Sequence, residues 1–164
     1  MKKAVEFIAK VEEMDSFEAL NKQEKQLLTK AQEVTDSAYA PYSKFHVGAA
    51  ILLENGEIVI GNNQENVAYP SGLCAERVAA FSASSQYPNV PLRAIAIFAK
   101  SKNFVVKNTP APCGACRQVL AEYEHKQGSD IQLILKGEKG KILVSENVRN
   151  LLPFLFIEDE LKKD

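Results

Sequence analysis

All three cysteines of this chain lie in two short segments, Cys74-Ala75-Glu76-Arg77 and Pro112-Cys113-Gly114-Ala115-Cys116-Arg117. Each segment stands where a helix is expected to start. Residues 73–84 follow Ser71-Gly72, hold good helix formers and contain no proline. The rigid approach Asn108-Thr109-Pro110-Ala111-Pro112 leads into a second helix over 114–124, with Val119, Leu120 and Tyr123 on one side. Cys113 and Cys116 open that helix, and Cys74 is placed in the first turn of the other. Side chains at i and i+3 of a helix stand about 5–6 Å apart at Cβ, so both thiolates can reach one ion at about 2.3 Å. For Cys74 to join them, the fold must bring two helix N-termini together, and this constrains the architecture more than any other feature.

Other local signals place these helices among strands. Asn21, followed three residues later by Glu24, forms a capping-box pattern, and Leu27, Leu28, Ala31, Val34 and Ala38 recur at helical spacing. That helix is expected to end near Tyr39, before Pro41. Strands at 47–53 and 57–60 flank Asn55-Gly56, a dipeptide suited to the positive φ angles of a tight hairpin turn. Residues 94–99 form a buried strand, and 131–135 and 142–144 two more. Ser145 is expected to cap a short helix that Pro153 ends. Val5, Phe7, Ala9 and Val11 alternate with mostly charged residues, a pattern for a short edge strand near the N-terminus. Strands alternating with helices after an initial hairpin predict an α/β fold, a mixed sheet covered by helices.

With 164 residues, 46% of them apolar, the chain can bury one substantial core, and a single domain over 1–164 is expected. Within it, 1–20 forms an N-terminal extension and 158–164 a charged, frayed tail. A formal charge of −1 offers no basic field to hold a nucleic-acid backbone. Glu6, Lys10, Glu12 and Glu13 interrupt any apolar run near the N-terminus, and no run approaches the ~18 residues of a membrane span. Three cysteines leave an unpaired thiol in any disulfide scheme, which points to a cytoplasmic protein with thiols free to act as ligands.

Three thiolates with a fourth position open is the layout of a catalytic zinc, because structural sites usually close their tetrahedron with four protein ligands. Three thiolates also carry more negative charge than Zn²⁺ neutralises. The amides at both helix N-termini supply partial positive charge, and Arg77 can donate hydrogen bonds to the thiolates, with Arg117 a weaker option. Glu76 is then the natural proton carrier, taking a proton from water and returning it to the substrate. Each element has a plainer meaning when taken alone. Cys-x-x-Cys is often a redox pair or half a structural knuckle, Glu76 a first-turn acid, and Arg77 a solvated surface charge. His46 and His125, the latter placed in a polar stretch past the second helix, are not needed as ligands.

Taken together these residues resemble the cytidine deaminase family. The general signature is a His or Cys before Ala-Glu, then Pro-Cys-x-x-Cys. The similarity extends to Ala40-Pro41-Tyr42-Ser43-Lys44-Phe45, Val47-Gly48-Ala49-Ala50, 61–69, 74–78, 112–122 and Leu151-Leu152-Pro153, in family order over roughly 25–156. The resemblance implies a three-layer α-β-α fold with a mixed five-stranded sheet. It implies one Zn²⁺ per chain on Cys74, Cys113 and Cys116, with Glu76 as the catalytic acid and base. It further implies that Phe45 packs on the pyrimidine ring, that Asn63 and Glu65 bind the ribose 3′-hydroxyl, and that the Ala75 backbone contacts the base. Small members with three cysteine ligands are homotetramers, and Phe156 occupies the register of a C-terminal Phe that enters the neighbouring subunit's site.

The implied activity is deamination of free cytidine and deoxycytidine, a pyrimidine salvage reaction on a small nucleoside, with no nucleic-acid or membrane partner. Rivals are a deaminase of a blasticidin-type antibiotic, of free cytosine or of a base in RNA; a non-catalytic zinc-stabilised module; and a thiol redox protein. Asn63 with Glu65 favours a nucleoside carrying a free 3′-hydroxyl. The zinc module lacks a fourth ligand, and the redox protein leaves Cys74 and Glu76 unexplained.

Overall fold

The structure, a computed structural model, describes residues 2–162. Residues 163–164, the end of the expected frayed tail, lie outside the described residues. Helix α1 (Lys22–Val34), α2 (Ala75–Gln86) and α3 (Gly114–Gln127) cover a sheet of β1 (Glu12–Met14), β2 (Phe45–Leu53), β3 (Ile58–Asn62), β4 (Leu92–Ser101), β5 (Gln132–Gly137) and β6 (Ile142–Ser145). The strand order is β1-β6-β5-β4-β2-β3. Only β4 and β5 run parallel, and α3 makes the crossover that a parallel pair requires.

Strand periodicity explains the three layers. Ala50 and Leu52 of β2 and Ala94, Ala96 and Phe98 of β4 face Leu27, Leu28 and Ala31 of α1. Their neighbours Ala49, Ile51, Leu53, Ile95 and Ile97 face Ala75, Ala79, Ala80 and Ala83 of α2 and Leu120 and Ala121 of α3. Strands covered on both faces carry continuous apolar runs, which is why β2 and β4 lack polar alternation. At the β3 end of the sheet Gly61 lets α2 approach closely: a Cβ there would stand 2.5 Å from the Ala79 nitrogen and 2.8 Å from the Ala75 oxygen.

The expected mixed sheet and covering helices are present, with six strands rather than five. The sixth is β1, which pairs antiparallel with β6 through Glu12–Val144 to Met14–Ile142. The strand expected over 5–11 is not formed. That stretch is exposed and turns toward the C-terminal segment, where Phe7 meets Phe154 at 4.5 Å between ring centroids and the Lys10 nitrogen donates to Asn150 Oδ1 at 3.2 Å. Alternation alone does not make a strand without an edge to pair with.

Other expectations shift by a few residues. Asn21 and Glu24 form the capping box, but α1 stops at Val34 and a 3₁₀ turn, Thr35–Ser37, follows. The hairpin turns where expected, yet Gly56 alone takes positive φ, at 88°. Its nitrogen donates to the Leu53 oxygen at 3.0 Å, giving a longer loop that ends on a left-handed glycine. Ser145 ends β6 instead of capping a helix; the Asn150 nitrogen donates to Asn147 Oδ1, and only a 3₁₀ turn, Arg149–Leu151, forms. His125 belongs to the last turn of α3, where its ring pairs with Asp159 at 2.8 Å and holds the C-terminal segment on the helix. Among the described residues no helix is long and apolar enough to cross a membrane.

Candidate metal centre and adjoining cleft

The two cysteine segments meet where α2 and α3 begin. Cys74 is the N-cap of α2 rather than a first-turn residue, and Cys113 is the N-cap of α3; both have extended backbones, with ψ of 155° and 164°. The Cys74 carbonyl accepts from the Arg77 and Val78 nitrogens, each at 3.1 Å, and the Cys113 carbonyl from the Arg117 nitrogen at 3.0 Å. These bonds fix both thiols at the positive ends of the helix dipoles. Cys116, one turn into α3, is fully buried.

The three sulfurs lie within 4.8 Å of one another. Cys74 Sγ is 3.8 Å from Cys113 Sγ, which is 3.5 Å from Cys116 Sγ. Tetrahedral zinc with bonds of about 2.3 Å spaces its sulfur ligands about 3.8 Å apart, so the donor set fits that ion. Among the described residues no other group of His, Cys, Asp and Glu converges in this way, and neither histidine joins it.

Charge around the sulfurs is graded. The Cys74 thiol is pulled down to about 5, chiefly by a hydrogen bond from the Cys116 thiol and, against burial, by Arg77. Arg77 Nη2 stands 3.9 Å from Cys74 Sγ and 3.4 Å from the Gly72 oxygen. Cys116 is driven up by the same contact with Cys74 and by burial. Glu76 is only 4% exposed, and burial raises its pKa, with the Cys74 charge adding to the rise. Arg117 faces away from this group: it donates to the Pro112 and Leu151 oxygens, each at 2.8 Å, and ties the C-terminal segment to the start of α3.

Beside Cys74 opens a cleft of about 520 Å³ lined by Tyr42, Ser43, Asn63, Glu65 and Tyr69 among others. Asn63 spans two β2 backbone groups, accepting from the Val47 nitrogen at 2.8 Å and donating to the Phe45 oxygen at 2.9 Å. One N–H of its amide remains for a ligand. Glu65 accepts from the Tyr42 nitrogen at 2.8 Å, the Ser43 nitrogen at 3.3 Å and the Ser43 hydroxyl. Burial opposes the charge on Glu65, but these bonds outweigh it and hold the carboxyl below its ordinary pKa. Of the residues alternating with Asn63 and Glu65, Gln64 donates to Asn62 Oδ1, and Asn62 donates to the Val34 oxygen at the end of α1 and to Ser37 Oγ in the turn that follows.

Phe45 opens β2 half-buried, and Ala75 lies buried between Cys74 and Glu76. Phe156 is 69% exposed, with both backbone groups bonded to the Gln118 side chain, and Phe154 is exposed as well. Leu155 between them packs inward on the core. A smaller hollow of about 250 Å³ between the C-terminal ends of α2 and α3 contains none of these groups. Sequence reasoning did not single out Ser43 as the partner of Glu65. Its signal was weak, because 22 positions separate the two residues and only the fold joins them.

A family model for the cytidine and deoxycytidylate deaminase zinc-binding region matches residues 21–128. Cytidine deaminases of Sporosarcina psychrophila and Halalkalibacterium halodurans are each 40% identical over 135 residues, 82% of this chain and 92% and 95% of those proteins. The crystal structure of cytidine deaminase from Burkholderia pseudomallei superposes with a TM-score of 0.70 at 34% identity, covering 84% of this chain and all of that one. A fold with two cysteine-bearing helix starts in contact, matched along most of its length by these proteins, places the chain in the zinc-binding cytidine and deoxycytidylate deaminase family.

Proposed function

We propose that this chain hydrolyses the exocyclic amine of free cytidine and deoxycytidine, consuming water and releasing ammonia with uridine or deoxyuridine. The observation that carries the reading is the convergence of three thiols within 4.8 Å beside the buried Glu76 carboxyl. Cys74, Cys113 and Cys116 would hold the zinc of this family, which supplies Lewis acidity to make water nucleophilic near neutral pH.

The remaining chemistry belongs to the side chains. Asn63 donates its free N–H to the ribose 3′-hydroxyl, and Glu65 accepts from it. Phe45 offers an apolar face to the flat pyrimidine, and the Ala75 backbone contacts its edge. Glu76 takes a proton from the attacking water and delivers it to the ring nitrogen, then carries the next to the departing amine. Burial suits Glu76 to this traffic, since a raised pKa brings its two protonation states closer in energy near neutral pH.

The finer assembly is part of the same proposal. Phe156 leaves its ring exposed while Gln118 holds its backbone, an arrangement that supports a homotetramer in which it enters a neighbour's site. The free thiols suit the reducing cytoplasm. The test is the ultraviolet change when purified protein meets cytidine, with metal assayed on the same sample. Conversion to uridine with about one zinc per chain supports the reading. Full zinc without turnover would overturn it and send the substrate search to other amine-bearing bases.

A further inference from the structure

Phe104 has an unusual setting. It lies in neither core cluster and is 58% exposed, yet the backbone around it is pinned. The Lys102 nitrogen donates to the Lys44 oxygen at 3.1 Å, continuing the β2–β4 ladder past the pair Phe45–Ser101. The Asn103 nitrogen donates to Ser101 Oγ at 3.2 Å. On the far side the Val106 side chain is buried, its nitrogen donates to Glu138 Oε2 at 2.8 Å and its oxygen accepts from Lys139 at 3.0 Å. Between these anchors the chain folds back and lays the Phe104 ring on Phe45, with centroids 6.3 Å apart and planes at 28°. This is the one aromatic contact Phe104 makes among the described residues.

We infer that Phe104 is a positioning residue for the substrate base, acting through Phe45; the inference rests on the proposed role of Phe45 as the wall against the pyrimidine. A half-buried Phe at the first position of a strand retains rotamer freedom, which must be given up when a flat base lies against it. Lys44 just before it has a left-handed backbone, φ 56°, so no regular strand precedes Phe45 to crowd its ring. A near-parallel partner on a pinned loop supplies the missing restraint, because offset aromatic pairs attract beyond the area they bury. The restraint acts equally in ground and transition states, so it lowers KM and leaves kcat nearly unchanged.

The test compares Phe104→Ala, Phe104→Leu, Phe104→Tyr, Phe45→Ala and the double variant Phe45→Ala/Phe104→Ala in the zinc-loaded enzyme, with KM and kcat for cytidine and the melting temperature of each. Phe104→Ala is expected to raise KM about 3- to 10-fold at constant kcat. Phe104→Tyr should restore KM, and Phe104→Leu, apolar but not flat, should not. In the Phe45→Ala background, removing Phe104 should add nothing further. The melting temperature should fall by no more than about 2–4 °C, since the residue lost is exposed and outside the core.

An unchanged KM in Phe104→Ala, while Phe45→Ala raises it, would overturn this inference and leave the role of Phe45 intact. An equal penalty with and without Phe45 would assign the effect to the loop rather than the ring pair, which also overturns it. Should Phe45→Ala leave KM unaltered, the base-wall reading itself falls, and the inference with it.

Discussion

Arg77 sits one helical turn beyond Cys74 and places its Nη2 3.9 Å from that sulfur. The same nitrogen reaches the Gly72 oxygen at 3.4 Å, so the guanidinium fastens the loop before α2 to the first thiol of the cluster. Groups that orient and neutralise ligands in this way typically matter 10- to 100-fold in metal affinity or activity. Arg77→Ala is expected to lower zinc affinity or turnover by about that factor, read by competition with a chromogenic chelator and by kcat. Arg77→Lys should recover only part of the loss, because a lysine ammonium on its flexible stem is not held between sulfur and carbonyl as the rigid, planar guanidinium holds its Nη2. Wild-type zinc retention in Arg77→Ala would show that the helix N-termini suffice.

Glu76→Gln separates proton transfer from scaffolding. The amide fills the same buried space, so zinc content should hold while kcat falls by about 10²- to 10⁴-fold. Stability should move the other way with pH. Burial raises the folded pKa of Glu76, so the folded state binds the proton more tightly than the unfolded chain does. Stability from this group is therefore complete below the ordinary carboxylate range and lost as pH rises through the folded pKa. Glu76→Gln should melt no lower than the parent at alkaline pH and lose its relative advantage in acid; a lower melting point at both ends would mark Glu76 as structural.

Glu65 carries the opposite sign. Its folded pKa is depressed: burial works against the charge, and the bonds from Ser43 and the Tyr42 and Ser43 nitrogens prevail. Its stabilising contribution is present above the unfolded value and is lost as pH falls through the folded one. The carboxylate should thus remain an acceptor for the ribose hydroxyl below the usual glutamate range. KM for cytidine is expected to stay flat as pH falls through that range, whereas Ser43→Ala, which removes one of the three donors, should move the rise in KM to higher pH. A profile identical in both proteins would sever the link between Ser43 and Glu65.

How far this was legible beforehand depends on sequence distance. The capping box at Asn21 and Glu24 and both cysteine-bearing helix starts rest on contacts a few residues apart, and all formed close to their expected places. What escaped was long-range. Residues 5–11 have the alternation of a strand, but β6 offers its edge only to Glu12–Met14. Arg117 sits in a segment that invites a role beside the thiols, yet Leu151, 34 positions away, claims it. The pairing of Ser43 with Glu65 and of Phe104 with Phe45 likewise exists only once β2, β3 and β4 are assembled.

The Asn21 cap offers a control remote from chemistry. Asn21 Oδ1 accepts from the Gln23 and Glu24 nitrogens at 2.9 and 3.0 Å, and Glu24 returns the bond to the Asn21 nitrogen. Asn21→Ala should cost about 1 kcal/mol and lower the melting temperature by about 2–4 °C. KM and zinc content should not change, because α1 covers the sheet face opposite the thiols. Altered kinetics in this variant would reveal coupling across the sheet.

Gly61→Ala tests whether the metal centre depends on how closely α2 approaches β3. The φ of Gly61 lies outside the left-handed region, so an alanine there meets no backbone strain of its own. Its Cβ would instead fall 2.5 Å from the Ala79 nitrogen and 2.8 Å from the Ala75 oxygen, both backbone atoms that yield only if α2 moves away. Overpacking of this kind costs about 1–3 kcal/mol. Cys74 immediately precedes Ala75, so the displacement reaches the thiol cluster as well. Gly61→Ala should lose stability, zinc and turnover together. Gly56→Ala is the matched comparison: it forces alanine to φ 88° but meets nothing within 4 Å. That variant should melt lower with zinc and kcat intact, since the strain stays in the hairpin. If both variants lost stability alone, the spacing between α2 and β3 would not set the position of Cys74.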